Sequence, residues 1–289
     1  MTKKERELAE NSASSGRRRF LAGAGSLAGL AMVGSASATD AANLGDSIGQ
    51  VANVDSPNPY SHIDPESVKS IGRNNYYAGM HCGQGTLDAI LTKLRENVGD
   101  PYTKIPSTAT FWSAGGGAGW AAVCGAVVGA NTAIALVHGG TGTTMKLTDE
   151  LQRWYTQHNF PQYTPPGSAD GITKKLPTSQ SGSILCHTSV THWCEESGYA
   201  SGADERSERC SRVVADTAAK AVELLNAEAN GNFEEVANSQ TPMSVDGDKG
   251  CRSCHFKGPD HEAGQYTRGK MECMQCHGGA PHMPDSLQK

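Results

Sequence analysis

A mainly α-helical body followed by an irregular C-terminal segment is the fold that the sequence predicts, on three observations. Between about residues 82 and 225 apolar residues recur at three- and four-residue spacing, the period of a helix with one buried face. Clusters of Gly and Pro separate these runs and end each helix. From Cys251 onward, Gly258-Pro259, Gly264, Gly278-Gly279 and Pro281 break any long helix and leave little apolar wall for a core. The 289 residues suffice for one large domain or a domain with a satellite. Only 37% are hydrophobic and 6% aromatic, while 34 are glycine, so the core must rely on small side chains and close backbone contact.

Residues 1–38 read as a processing segment. In "GRRRFLAGAGSLAGLAMVGSASA", Arg17 and Arg18 precede Phe20, Leu21, a mild apolar run to about Gly34 and the small-residue cleavage site Ala36-Ser37-Ala38. The run falls short of the ~20 apolar residues that span a bilayer. Export to the periplasm by the twin-arginine route is therefore expected, with no stable membrane span after processing. The mature chain from Thr39 keeps 19 Lys/Arg against 27 Asp/Glu, a formal charge of −8. That balance opposes nucleic-acid binding, which calls for basic patches. It suits a basic redox protein partner or a small molecule.

The expected helical body, residues 39–225, follows. Leu87, Ile90, Leu91, Leu94 and Val98 form a helical stripe ended by Gly99 and Pro101, which puts Cys82 at a helix N-terminus, where thiolate is favoured. In "SAGGGAGWAAVCGAVVGANTAIALVHG" a triple glycine leads into a small-residue helix, apolar from Ala118 to Val137, that carries Cys124, Gly125 and Gly129. Its Ala/Gly content and its Asn131 and Thr132 make it a buried core helix rather than a membrane span. No Lys-Ser/Thr follows the glycines, so a phosphate loop is not supported. Leu147, Leu151, Trp154 and Tyr155 mark the next helix, which ends before Pro161 and a Pro/Gly-rich loop. Cys186 and Cys194 stand eight residues apart, close to two helical turns, so both can face one side. Cys210, Val213, Val214, Thr217, Ala221, Leu224 and Leu225 share a face with charges opposite, which turns Cys210 inward. Residues 226–250 become polar and Gly/Asn-rich, the composition of a linker. Trp112, Trp120, Trp154 and Trp193 are expected to pack the core or a cofactor edge. His187 and His192 flank the cysteine segment and could hydrogen-bond what it binds.

The tail, residues 251–289, carries "CRSCH" and "CMQCH". Cys251/Cys254 and Cys273/Cys276 also satisfy the spacing of a zinc ribbon. His255 and His277 decide between the two: each completes the signature of covalent c-type haem attachment, and ten His in 289 residues would fill both places by chance about once in a thousand. Two thiols at this spacing reach the two vinyl groups of a haem, and the following His ligates the iron from the proximal face. Covalent attachment of two haems thus replaces a hydrophobic core in the tail. For the distal positions His62, His81, His261 and His282 are the candidates, with Met283 as an alternative.

Five cysteines remain: Cys82, Cys124, Cys186, Cys194 and Cys210. In an exported protein disulfides are the plain expectation, but five cannot all pair within one chain. Inward-facing cysteines near helix ends, far apart in sequence, suit ligands converging on an iron–sulfur cluster, with four of the five as ligands. The export route agrees. Twin-arginine substrates fold before crossing, so a cluster can be inserted first and haem attached outside.

The order Cys82, "CGAVVG" from Cys124 to Gly129, Cys186 and Cys210 resembles a redox-active family defined by such cysteines. Together with the two haem motifs, the mature chain resembles the split-Soret cytochromes c of sulfate-reducing bacteria. The resemblance spans roughly residues 70 to 280, and Cys194 is additional to the four-cysteine pattern. It implies a homodimer with two closely packed c-type haems per chain, bis-His ligation with a ligand lent across the subunit interface, and an iron–sulfur cluster, expected as 2Fe–2S, in the helical body. The expected function is electron transfer by a periplasmic multihaem cytochrome with an iron–sulfur centre. The alternative is a reductase acting on a small substrate at the cluster or at an open haem site.

Overall fold

A computed structural model describes residues 57–166, 171–240 and 271. Helix α1 (Pro65–Asn75) begins where Asp64 accepts the Glu66 N–H at 3.1 Å and Pro65 fixes the first turn. A π-helical turn, Tyr76–Met80, with Gly79 at φ +89° leads into α2 (His81–Asn97). On α2 the expected stripe holds: Leu87, Ile90, Leu91 and Leu94 are all fully buried. Helix α3 (Gly125–His138) is followed by α4 (Gly142–Gln157), capped by Thr141. Strands β1 (Asn159–Phe160) and β2 (Ser179–Gln180) form a minimal antiparallel pair that ties off the Pro/Gly-rich loop. Helices α5 (Cys186–Ser197), α6 (Asp204–Ala229) and α7 (Phe233–Gln240) complete the described residues. The fold is mainly α, as expected.

Helix α6 is the axis of the body, packed by α1, α2, α3, α4 and α7. Nineteen of its 26 residues are buried, so it is enclosed on all sides rather than amphipathic with an outward charged face. Glu208 and Asp216 are inside because groups from elsewhere in the chain reach them. Glu208 receives a two-pronged bond from Arg73 on α1, each arm 3.1 Å, together with Arg212 Nε at 2.7 Å and the Tyr77 hydroxyl at 2.5 Å. Burial alone would raise the Glu208 pKa; these donors outweigh it and hold the carboxyl below its ordinary range. Asp216 accepts the main-chain N–H groups of Gln162 and Tyr163 at 2.7 and 2.9 Å. Near the end of α6, Asn226 bonds the Tyr60 hydroxyl and both main-chain groups of Ile63, which ties the entering chain to the axis.

Two boundaries differ from expectation. The small-residue helix starts at Gly125, not in the glycine run, because Gly115, Gly116, Gly117, Ala118, Gly119 and Ala121 all have φ between +47° and +93°. Left-handed backbone cannot continue into a right-handed helix, and only small residues tolerate it. Helix α6 runs to Ala229 and α7 follows, so helical structure continues beyond residue 225, where a linker was expected. The processing segment 1–38 and the tail from Cys251 lie outside the described residues, Met271 excepted.

Candidate metal centre

Four of the five cysteines of the body line one cavity: Cys82, Cys124, Cys186 and Cys210, with Ala126, Ser189, Val190, Arg209 and Val213. They come from four separate segments. Cys82 is the second residue of α2, Cys124 caps the N-terminus of α3, Cys186 opens α5, and Cys210 lies in the first turns of α6. Three helix N-termini therefore converge on the cavity, and each brings the positive end of its dipole. About 10 Å³ of the cavity is open, the size of one water molecule.

Main-chain bonds set two of these cysteines side by side. Cys124 N–H donates to Ile184 at 2.8 Å and Cys186 N–H to Ala122 at 2.6 Å, on either side of an antiparallel bridge between Val123 and Leu185. Cys82 is brought in by helix contact without side chains between. A Cβ on Gly125 would lie 2.8 Å from the Cβ of Cys82 and 2.6 Å from the Ser113 carbonyl oxygen. One on Gly129 would lie 2.2 Å from the carbonyl oxygen of Gly83. The two glycines, four residues apart on one face of α3, let α2 approach closely enough to bring Cys82 beside Cys124.

Burial, and after it the other three cysteines, push the Cys82 thiol well above its ordinary pKa, while the Gly115 N–H pulls the other way. The favourable helix N-terminus expected at Cys82 is thus overridden by desolvation and by its neighbours. Burial likewise raises Cys124, against bonds from the Tyr155 hydroxyl and the Ala126 N–H, and pushes Cys186 up to about 12. Thiols raised in this way stay protonated unless a cation replaces their protons. Two guanidinium groups already face the site. Burial disfavours the charge on Arg206, but Cys210 and Tyr76, to both of which it hydrogen-bonds, outweigh that and raise its pKa. Arg209 is 1% exposed; its Nη2 donates to Ser189 Oγ at 2.8 Å and its Nε has no hydrogen-bond partner. Among the described residues no three His, Cys, Asp or Glu side chains already stand in a metal-ion arrangement. Even so, the donor set, four soft sulfurs beside an orphaned buried cation, fits an anionic thiolate-bound metal centre.

The other sequence candidates lie apart. Cys194 is half-buried and does not line the cavity, because eight residues carry it about 12 Å along α5 from Cys186. His187 is exposed, and His192 meets the Gln180 carbonyl at 3.3 Å rather than the cysteines. His62 and His81 are exposed, His81 against the rings of Tyr76 and Phe111. His255, His277, His261, His282 and the four tail cysteines lie outside the described residues. Trp154 and Trp193 are buried, but Trp112 and Trp120 are 61% and 86% exposed, against expectation; Trp120 lies within the left-handed loop and Trp112 in the helical turn before it. Arg206, Arg209, Tyr155 and Ser189 escaped the sequence reading. Arg206 precedes Cys210 by one helical turn and Arg209 adjoins it, a spacing that is ordinary on a solvated helix. A larger cavity of about 420 Å³, lined by Lys69, Trp154, His158, Asp216 and Lys220 among others, contains no cysteine. Among the described residues no helix is long and apolar enough to cross a membrane.

Comparison with known proteins agrees with this geometry. Residues 80–224 match the redox-active protein family C_GCAxxG_C_C. Here the central element reads Cys124-Gly125-Ala126-Val127-Val128-Gly129, with Gly after the Cys rather than before it. Over 272 residues, 91% of this chain and 95% of the relative, the sequence is 32% identical to the split-Soret cytochrome c of Desulfovibrio desulfuricans. A solved structure of split-Soret cytochrome c from that organism, described as having a novel iron centre, is similar at TM-score 0.68 and 31% identity, covering 79% of this chain and 94% of that one.

Proposed function

This chain belongs to the split-Soret cytochrome c family of redox proteins, and from that membership we propose that it is an exported electron carrier with two covalent haems and an iron–sulfur centre. Cys82, Cys124, Cys186 and Cys210 hold the iron–sulfur centre. Cys251 and Cys254 bind one haem with His255 as proximal ligand, and Cys273, Cys276 and His277 serve the second. The groups themselves supply one-electron chemistry at iron. The chain fixes the sulfurs on rigid helix ends, excludes water and surrounds the centre with positive charge.

The observation that carries this reading is the convergence of four cysteines from four segments on one closed, electropositive space. Met271, between the two haem-attachment motifs, meets the Ser183 hydroxyl at 3.2 Å, three residues from Cys186. That contact supports exchange of electrons between haem and the cysteine site. Twin-arginine export, a homodimer that shares distal His ligands and a basic redox partner complete the proposal.

The test is composition and spectrum of the protein matured in an export-competent host. Two haems per chain by pyridine haemochrome, with iron in excess of haem and labile sulfide, is the expected result. Two haems without excess iron would return the body cysteines to structural roles, and zinc without haem would overturn the whole reading.

A further inference from the structure

We infer that Arg209 is the fixed counter-charge of the four-cysteine centre and sets, by its charge rather than its shape, how readily that centre accepts an electron. This rests on the proposed iron centre. Arg206, Arg209, Cys210 and Val213 follow the i, i+3, i+4, i+7 spacing of one helix face, and Arg209, Cys210 and Val213 line the cavity. Arg209 is the deeper of the two arginines. Its Nη2 bond to Ser189 continues to the Tyr155 hydroxyl at 3.0 Å, and Tyr155 in turn bonds Cys124. Its Nε is buried without a partner.

The carboxylates of α6 are engaged elsewhere. Glu208 is bonded to Arg73, Arg212 and Tyr77, and Asp216 to two main-chain N–H groups. Among the described residues Arg209 has no carboxylate within ion-pair distance, although it is 1% exposed. A buried guanidinium without a counter-ion is strongly destabilising. Asp216 acts on it only from beyond ion-pair distance, so the charge that balances it at close range is that of sulfur ligands in the cavity whose protons metal binding displaces.

The consequence is redox. An iron centre held by these four cysteines would take one electron from a one-electron donor, a reduced haem in the protein or a reduced viologen in vitro, with one ferric iron going to ferrous and the negative charge in the cavity growing by one. A guanidinium held close to the sulfurs in a low-dielectric site stabilises the more negative, reduced state more than the oxidised one. Arg206 is only half-buried and its contribution is screened by water and salt.

The experiment is an EPR-monitored redox titration of the non-haem iron in the full, haem-loaded protein, with the haem potentials as internal control. Arg209→Gln, which keeps hydrogen-bonding capacity but loses charge, is expected to retain iron and titrate at a lower potential. Arg209→Lys should stay near the wild type, and Arg206→Gln should shift less, with a shift that added salt diminishes. Equal shifts in the Gln and Lys variants, or an unshifted Gln variant with full iron, would overturn the inference. If the Gln variant loses iron while the Lys variant keeps it, the charge is needed to hold the centre and the assignment stands; loss in both assigns Arg209 a role of shape and overturns it. Absence of non-haem iron from the wild type would instead sink the proposed function, a separate outcome.

Discussion

Replacing Gly129 by Ala tests whether close contact between α2 and α3 builds the cysteine site. The new Cβ would lie 2.2 Å from the Gly83 carbonyl oxygen, 2.9 Å from the Thr86 Cβ and 3.0 Å from the Leu87 nitrogen. Two of these are backbone atoms of a packed helix, so no side chain can swing away. Carbon and carbonyl oxygen approach to about 3.3 Å at closest, so the helices must separate by about 1 Å. Overpacking of this kind costs about 1–3 kcal/mol, and alanine returns about 1 kcal/mol through its helix propensity. Because the clash is with backbone, the upper end applies, and the net loss is about 2 kcal/mol. At about 2–4 °C per kcal/mol for a body of this size, Tm falls by about 4–8 °C. A displacement of about 1 Å also exceeds the tolerance of about 0.2 Å on metal–ligand distances, so non-haem iron falls with it. The assay is thermal unfolding by far-UV circular dichroism with iron quantified in parallel. Gly142→Ala is the control, since a Cβ there meets nothing within 4 Å. If Gly129→Ala matches that control in Tm and retains full iron, the close-approach explanation of the motif is wrong.

Two further predictions concern α6. Glu208→Gln removes the negative charge that neutralises Arg73 and Arg212 in the interior and should cost about 3–5 kcal/mol in urea unfolding; a loss below about 1 kcal/mol would mean that these guanidiniums find water. Asp216 is raised to about 6, chiefly by burial. Its folded pKa lies above the unfolded value of about 3.9, so its contribution to stability is present below that value and is lost as pH rises through about 6. Asp216→Asn does not titrate, and between pH 4 and 7 its stability relative to wild type should improve by about 2 kcal/mol. His158, lowered to about 4 by burial and then by Lys220 and Lys69, acts oppositely, with stability lost as pH falls from about 6.5 to about 4; it is present in both proteins and cancels in the difference. A gap independent of pH would contradict the burial of Asp216.

The legible part of this fold was the part that periodicity governs. Leu87 to Leu94, and Val213 to Leu225, repeat at the helical period, and their burial follows from that repeat alone. The charges of α6 were misread because Glu208 finds Arg73 across 135 residues, a pairing that local spacing does not encode. The glycine run hid its handedness, since φ near +60° is open to Gly in any context, and the outward turn of Trp120 follows from that handedness. At the site, cysteine order suggested the ligand set but left Cys194 in play. Only the helix ends and the Val123–Leu185 bridge show which four sulfurs share a cavity. Arg209 was invisible because a cation beside a cysteine is ordinary on a solvated helix and telling only once the helix is known to be enclosed.

The most direct measurement of the central claim is non-haem iron per chain, by EPR of the reduced protein and metal analysis corrected for haem, in five single Cys→Ser variants of the full-length cytochrome. Cys82→Ser, Cys124→Ser, Cys186→Ser and Cys210→Ser should each lose or alter the non-haem signal with both haems intact, and Cys194→Ser should leave it at the wild-type level. Loss of the signal in Cys194→Ser, or its full retention in any of the other four, would contradict the assignment.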